Sequence, residues 1–505
     1  MDLNPDAIEY DSLPGRNGRP SATHRRVRLS AARLAALSFV GLILLGTLGF
    51  RLLPGLTSDG DPLGWLDALF MATSAVCVTG LTVVDVSTEL SFRGQLWLLL
   101  LIQLGALGIF TLAGLVVSLM GVRMGLDLED AAQHGDPQLP RQTAVRMLRS
   151  VILFAFTIEA IGALLLWLFW QRESPVGGGA DDLIWLAVFH SVSAFCNAGF
   201  SLFSDSLTGF QQSTGLLGTV AGLIVLGGLG FPVLLELRDR TRGWVRERGR
   251  ERGRERGRGR SRDSMHGLIR GPRLSLHARL VLGTTGLLLI GSTGLYAACE
   301  WSGELGALGP VDRLMNAFFM AVTARTAGFN TVDYDALSNA GLFLTLSLMW
   351  IGGAPGSVAG GVKVTTVAIL ALLLFSRLRG AAHTSLASRT IPQETVQRAA
   401  GLAVGAIFLL AALLMLLLLL EPMGAAERAE GRMQLVRLVF ELQSAFSTVG
   451  LSMGTTSELT PGGRALIVVA MLLGRLGPLV VLTAMAVRVQ RRLDFRYAHE
   501  DVLVG

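Results

Sequence analysis

The chain has 505 residues, of which 51% are hydrophobic and 16% charged, with a formal net charge of +6 and a mean hydropathy of +0.53. That is far more apolar surface than a soluble core of this size buries, so the composition excludes an ordinary soluble enzyme or binding domain and points to a polytopic membrane protein. Three cysteines, Cys77, Cys196 and Cys299, are too few for a disulfide framework, and Cys77 and Cys196 read as small packing residues.

Residues 1–32 lack the short apolar core and cleavage site of a secretory signal and are read as a retained cytoplasmic segment. Apolar runs long enough to cross about 30 Å of hydrocarbon follow at 33–53, 94–120, 147–170, 213–237, 277–299, 339–376, 399–420 and 463–487, which gives eight spans. Within each pair of spans lies a stretch of about 13 residues, too short to span and better suited to a re-entrant half-helix. These stretches fall near 64–76, 183–196, 311–324 and 432–446. The predicted fold is therefore an all-α polytopic membrane protein in which one unit of helix, half-helix, loop and helix is used four times around a central hole. Its bounds are 33–120, 144–237, 277–376 and 399–487, with a linker at 238–276 and a tail at 488–505.

Each half-helix ends in the same way. The four endings are SAVCVTGL, SAFCNAGF, VTARTAGF and SAFSTVGL, with glycines at Gly80, Gly199, Gly328 and Gly450. A half-helix entering from outside points the negative end of its dipole at mid-membrane, where a cation is stabilised. The chain is expected to return outward, extended, through Val78-Thr79-Gly80, Asn197-Ala198-Gly199, Thr326-Ala327-Gly328 and Thr448-Val449-Gly450. Extended backbone at that depth is tolerable only where it lines a polar path, and its carbonyls can replace the hydration shell of a bare cation.

Arginines set the orientation. Arg25, Arg26 and Arg28, then Arg123, Arg141 and Arg146, then Arg377, Arg379 and Arg389, and finally Arg488, Arg491 and Arg492 fall on one side when the spans are threaded in order. The positive-inside bias makes that side cytoplasmic, both termini included. The opposite loops carry Asp59, Asp61, Asp85, Asp181, Asp182, Asp205, Asp333 and Asp335, an acidic outer face that concentrates cations. The stretch 238–279 holds 15 arginines and the run RERGRERGRERGRGR at 246–260. Without an apolar face it packs no core and reads as a topology determinant in contact with anionic lipid, or as a docking surface for a cytosolic partner. Aromatic residues that could stack bases are nearly absent there, so nucleic acid is set aside.

A second constellation interrupts the sixth span: Gly352, Gly353, Pro355, Gly356, Ser357, Gly360 and Gly361, ending in Lys363. Relative to Ala, an interior Gly costs about 1 kcal/mol and Pro about 3, so the helix is expected to break inside the membrane. No Gly-Lys-Ser/Thr ending follows, which excludes a phosphate-binding loop. Lys363 is the single lysine among 44 basic residues, which suggests a site wanting a compact ammonium. Arg475, in the last span, is a second cation at membrane depth. Arg325 is expected to brace the third loop from behind, against Glu441.

With these endings, the RLSLHARLVL stretch at 273–282 and the C-terminal HEDVLVG, the whole chain resembles the Trk/Ktr/HKT superfamily of potassium uptake proteins, most nearly the KtrB-type membrane component of the Ktr branch. The run 246–260 departs from that pattern. The resemblance implies a channel-like potassium pore in the bacterial cytoplasmic membrane, not an enzyme, with K⁺ held in a selectivity filter at the four glycine triplets. It also implies that 352–363 forms an intramembrane gate loop, with Lys363 and Arg475 beside it. Sodium stimulation, a homodimer with one pore per protomer, and a cytosolic nucleotide-binding ring of RCK/KTN type carrying any ATP or ADP are implied as well. The alternative is a symporter coupling cation entry to Na⁺ or H⁺, and a third reading is a membrane-anchored scaffold presenting the arginine loop.

Overall fold

The computed structural model describes residues 31–119, 139–173, 180–241, 274–381, 383–386, 389–421 and 431–477. The segment before residue 31, the run 246–260 and the tail beyond 477 lie outside the described residues. The fold is built from helices, with a single two-stranded hairpin among the described residues, β1 (Ser385–Leu386) and β2 (Arg389–Thr390), on the link between the third and fourth groups of helices.

The helices come in four groups. The first is α1 (Ala31–Leu52), α2 (Trp65–Cys77) and α3 (Phe92–Leu119). The second is α4 (Leu139–Glu173), α5 (Ala180–Phe195), α6 (Thr214–Gly228) and α7 (Phe231–Thr241). The third is α8 (Leu276–Glu300), α9 (Pro310–Thr323), α10 (Asn339–Met349) and α11 (Val364–Leu378), and the fourth α12 (Gln393–Leu420), α13 (Gly431–Ser447) and α14 (Pro461–Leu476). The short helices α2, α5, α9 and α13 fall where half-helices are expected. Neighbouring groups touch in a closed circuit: α3 packs on α4 and α5, α6 on α9, α10 on α13, and α14 returns to α2.

Burial separates the two kinds of helix. Along α2 the side chains from Phe70 to Cys77 are all buried, and along α9 those from Phe319 to Thr323. By contrast Leu287 and Ile290 on α8 are 74% and 78% exposed. Such apolar faces suit acyl chains, not water. By length and composition three described helices can each cross a membrane, Arg149–Glu173, Leu276–Glu300 and Gln393–Leu420, and the bent pair α6–α7 adds a fourth when counted as one span.

Two expected spans are broken. The fourth was expected to run unbroken over 213–237, but it turns by 104° between α6 and α7. Gly230 takes φ +81° there, a conformation cheap only for glycine, and Pro232, which lacks an N–H, opens the next helix where no donor is needed. The sixth is interrupted between Met349 and Val364 by the glycine-rich stretch, as the helix-breaking composition requires.

Two repeated devices hold the groups together. Glutamates at the ends of α4, α8 and α12 clasp the residue that starts the paired helix: Glu173 accepts from Ser213 Oγ, Glu300 from Ser338 N and Oγ (3.1 and 2.5 Å), and Glu421 from Thr460 N and Oγ1 (2.8 and 2.7 Å). Ser338 and Thr460 in turn accept from the N–H groups of Gly341 and Gly463, both 3.1 Å, so each hydroxyl caps its helix while tying it to the preceding one. In the membrane-depth layer, a Cβ on Gly105, Gly227 or Gly474 would collide with the carbonyl of Val76, Phe195 or Phe446 respectively. Only glycine lets the second helix approach the end of the half-helix so closely.

Candidate ion pathway

The half-helices α2, α5, α9 and α13 end at Cys77, Phe195, Thr323 and Ser447, each within three residues of a glycine triplet. The triplets are not extended strands. The first residue of each has positive φ (Val78 +55°, Asn197 +56°, Thr326 +72°, Thr448 +51°), the glycine does too (Gly80 +97°, Gly199 +70°, Gly328 +81°, Gly450 +92°), and the middle residue does not. In a strand successive carbonyls point to opposite faces. Alternating handedness turns alternate peptide planes over and brings the carbonyls to one side. The conformation costs roughly 1–2 kcal/mol for each non-glycine residue, and three of these are β-branched, so the surroundings must impose it.

Those surroundings are visible in the hydrogen bonds. The amides of Thr79, Ala198 and Val449 donate back to Ser74, Ser193 and Ser444 carbonyls at 2.8, 2.7 and 2.8 Å, and that of Ala327 to Thr323 at 3.0 Å. Hydroxyls complete the clasp. Ser74 and Ser444 accept from the N–H groups of Gly80 and Gly450 (3.1 and 3.0 Å), while Ser193 and Thr323 donate to the carbonyls of Phe200 and Phe329 (2.8 and 2.6 Å). None of the twelve carbonyls from Val78–Gly80, Asn197–Gly199, Thr326–Gly328 and Thr448–Gly450 receives a hydrogen bond from a described residue. Twelve backbone acceptors are thus left available, the kind of group that water or a cation satisfies.

The glycines close these loops into a ring. A Cβ on Gly199 would sit 2.7 Å from Ala327 O and one on Gly328 2.6 Å from Val449 O; on Gly450 it would collide with Thr79 O, and on Gly80 with Ala198 O. Each glycine backs onto the next group's middle carbonyl, and the fourth returns to the first.

The stretch 352–363 lies against this ring. Its neck is a narrow parallel pairing: Ile351 bridges Val362, Gly352 N donates to Val362 O at 2.9 Å, and Val364 N to Gly353 O at 3.0 Å. Its tip is tied to the bend of α6–α7, with Ala354 N donating to Gly228 O (2.9 Å) and Phe231 N to Gly356 O (3.0 Å). A Cβ on Gly360 would collide with Thr448 Oγ1 at the base of the fourth triplet. Ser357 Oγ donates to Ala354 O at 2.6 Å, and Lys363 Nζ to Ala359 O at 2.6 Å. Arg475, buried on α14, donates to Val358 O. The structure thus gathers Gly352, Gly353, Gly356, Ser357, Gly360, Gly361, Lys363 and Arg475 in and around one loop, with Gly360 and Gly361 against the base of the fourth triplet and Gly353 and Gly356 at the α6–α7 bend.

Arg325 does not pair with Glu441. The Glu441 carboxylate is taken by Ser452 Oγ, Met453 N (3.1 Å) and Thr456 Oγ1 (2.8 Å) of the loop leaving the fourth triplet, and Arg325 Nη2 instead donates to Gly352 O at 3.4 Å. The outer ends of the groups are joined by Arg437 to Asp335 (2.9 and 2.6 Å) and by Arg464 to Asp67 (2.8 Å). In the same outer layer, partial burial raises the Asp85 carboxyl, but hydrogen bonds from Ser204, Ser87 and Thr88 outweigh it and hold its pKa below the usual carboxylate value.

The family model described as TrkH, cation transport protein, matches residues 44–246 and 302–493. The chain belongs to this cation transport family. It is 34% identical over 482 residues to the potassium/sodium uptake protein NtpJ of Enterococcus hirae, covering 95% of this chain and 98% of that one. To the Ktr system potassium uptake protein B of Bacillus subtilis it is 33% identical over 483 residues, with the same coverage. The crystal structure of the potassium transporter TrkH from Vibrio parahaemolyticus superposes with a TM-score of 0.68 at 18% identity, covering 94% of this chain and 88% of that one, a likeness of fold. The protein is a membrane transporter of the Trk/Ktr/HKT superfamily, not an enzyme, and a multi-pass component of the bacterial cytoplasmic membrane.

Sequence reasoning missed the glycines of the second helices, although a signal was present. Leu-Gly-x-Leu-Gly occurs at 104–108, 226–230 and 473–477, and its first glycine is the close-approach position in each case. It missed the clasps of Glu173, Glu300 and Glu421 as well. It also passed over buried Glu159, whose carboxylate accepts from Gln103 Nε2 (3.1 Å) and lies 3.8 Å from Cys196 Sγ, behind the second triplet.

Proposed function

We propose that the chain is the channel-like potassium-uptake component of a Ktr-type system, with four repeats and eight spans arranged in pseudo-fourfold fashion around one pore. The observation that carries this is the ring of twelve unbonded carbonyls closed by Gly80, Gly199, Gly328 and Gly450. We assign the selectivity filter to Val78–Gly80, Asn197–Gly199, Thr326–Gly328 and Thr448–Gly450. Their carbonyls replace the hydration shell of K⁺, with four half-helix C-termini supplying negative potential behind them. An inside-negative potential of about 100 mV supplies roughly 2.3 kcal/mol per monovalent cation, enough for roughly fiftyfold accumulation without a pump.

The stretch 352–363 serves as the gate. Its unwound backbone lies against the fourth triplet, and Lys363 and Arg475 place positive charge beside it, which opposes a permeating cation while the loop is in place. Its tip is bonded to the α6–α7 bend, and α7 leads into the arginine-rich 238–279 stretch. A cytosolic RCK/KTN-type ring bearing ATP or ADP and docked there would pull on the gate through α7. Na⁺ enters this reading as a stimulating ion, and the working unit is a homodimer in contact with membrane lipids.

Growth of a potassium-uptake-deficient bacterium at limiting K⁺, with Na⁺ varied, tests the function. Rescue is expected, and failure of a protein that reaches the membrane would overturn the assignment.

A further inference from the structure

We propose that Arg325 is a positioning residue that couples the third filter loop to the neck of the intramembrane loop, so that the state of one is felt by the other. The proposal rests on reading 352–363 as the gate.

Arg325 stands immediately before the triplet Thr326–Gly328, the place held by Cys77, Cys196 and Ser447 in the other three groups. Those side chains are short and uncharged. The one long cationic side chain at this position belongs to the one group whose second helix is interrupted by the glycine-rich loop. Its backbone is fixed to the half-helix, with its N–H donating to Val322 O at 3.2 Å, and Thr326 at φ +72° begins the triplet at the next residue. Its guanidinium reaches Gly352 O at 3.4 Å. Gly352 is the residue whose own N–H holds Val362 in the neck, so this contact falls where the two arms of the loop meet.

The arrangement suits a strut better than an ion pair. Arg325 is only 9% exposed, it forms no ion pair among the described residues, and its Nε is buried without a partner among them. The guanidinium is therefore held by the Gly352 carbonyl, and opening the neck would remove that bond. A cavity of ≈ 20 Å³, about the room of one water, lies beside it, bordered by Asn197, Thr285, Gly228 and Gly353. A buried cation that loses its acceptor must shift or find another, and its only rigid connection is to the filter loop. Movement of the neck is thereby transmitted to Thr326.

The test uses full-length protein in proteoliposomes without any partner, reading basal ⁸⁶Rb⁺ flux and the K⁺/Na⁺ flux ratio. Deletion of 354–360 should raise basal flux, and Gly80→Ser should lower the ratio without raising basal flux. Arg325→Gln should move both, raising basal flux at least fivefold and lowering the ratio at least threefold, and Arg325→Lys should recover most of both. If Arg325→Gln does not assemble, Arg325→Met, which keeps the length without the donors, is read by the same criteria. An Arg325 variant that shifts one readout and leaves the other at wild type refutes coupling. If deletion of 354–360 leaves basal flux unchanged, it is the gate reading that falls, and the proposal with it.

Discussion

Gly80→Ser is the most informative single substitution in the proposed filter. Gly80 has φ +97°, and a residue with a Cβ held in the left-handed region costs roughly 1–2 kcal/mol. The new Cβ would collide with Ala198 O and come within 3.2 Å of Gly199 Cα. Both are backbone atoms of the neighbouring filter loop, so relief comes by displacing a carbonyl of the ring and not by rotating a side chain. If the strain of about 1–2 kcal/mol is taken out of K⁺ coordination, a factor of ten per 1.4 kcal/mol gives a fall in K⁺ over Na⁺ preference of about 5- to 30-fold. Reversal potentials in planar bilayers under mixed K⁺/Na⁺ gradients measure this directly. A variant that conducts at wild-type rate with an unchanged permeability ratio would show that Gly80 is not in the filter.

Gly474→Ala places a methyl on Phe446 O and should destabilise by about 1–3 kcal/mol, as overpacking typically does; a lowered melting temperature in detergent checks it, while Gly222→Ala, which meets nothing within 4 Å, should be neutral. Deleting 246–260 should leave the permeability ratio at wild type, because a solvated charge run outside the membrane cannot touch the filter, while lipid or partner dependence changes; a shifted ratio in a normally assembled deletion would contradict its cytoplasmic placement. Glu304, in the outer loop before α9, has its pKa raised by burial and by the charges of Asp333 and Glu300. A raised folded-state pKa means that the ionised form weakens the loop at neutral pH and that protonation relieves this as pH falls through that pKa. Glu304→Gln should therefore raise thermal stability slightly at neutral pH, with the difference vanishing as pH falls below the carboxylate range.

The half-helices were legible because the apolar stretches were too short to span and each ended in a shared glycine. The broken sixth span was legible because five glycines and Pro355 cannot continue a helix. The break at Gly230 was not, since Gly227, Gly228 and Pro232 sit inside a run otherwise apolar enough to cross, and the hydrogen bonds that make the bend worthwhile come from Ala354 and to Gly356, more than a hundred residues away. The hand of the triplets was hidden for a different reason. Val78, Thr326 and Thr448 are β-branched residues that argue for an extended chain, and only the ring around them imposes positive φ. The partner of Arg325 is a backbone carbonyl, which carries no signature in a sequence, so Glu441 looked the better choice until its carboxylate proved to be filled by its own loop.

The central claim is a potassium-selective pore driven by potential alone, and the reversal potential under imposed gradients tests it most directly. With a tenfold K⁺ gradient across a planar bilayer, the account predicts a reversal potential near the K⁺ equilibrium value, about 59 mV for a single charge. It should stay there when a Na⁺ or pH gradient is added, even where Na⁺ raises the current. A reversal potential that moves with the Na⁺ or H⁺ gradient would show coupled entry and contradict the account, and Glu159 would be the first carboxylate to replace.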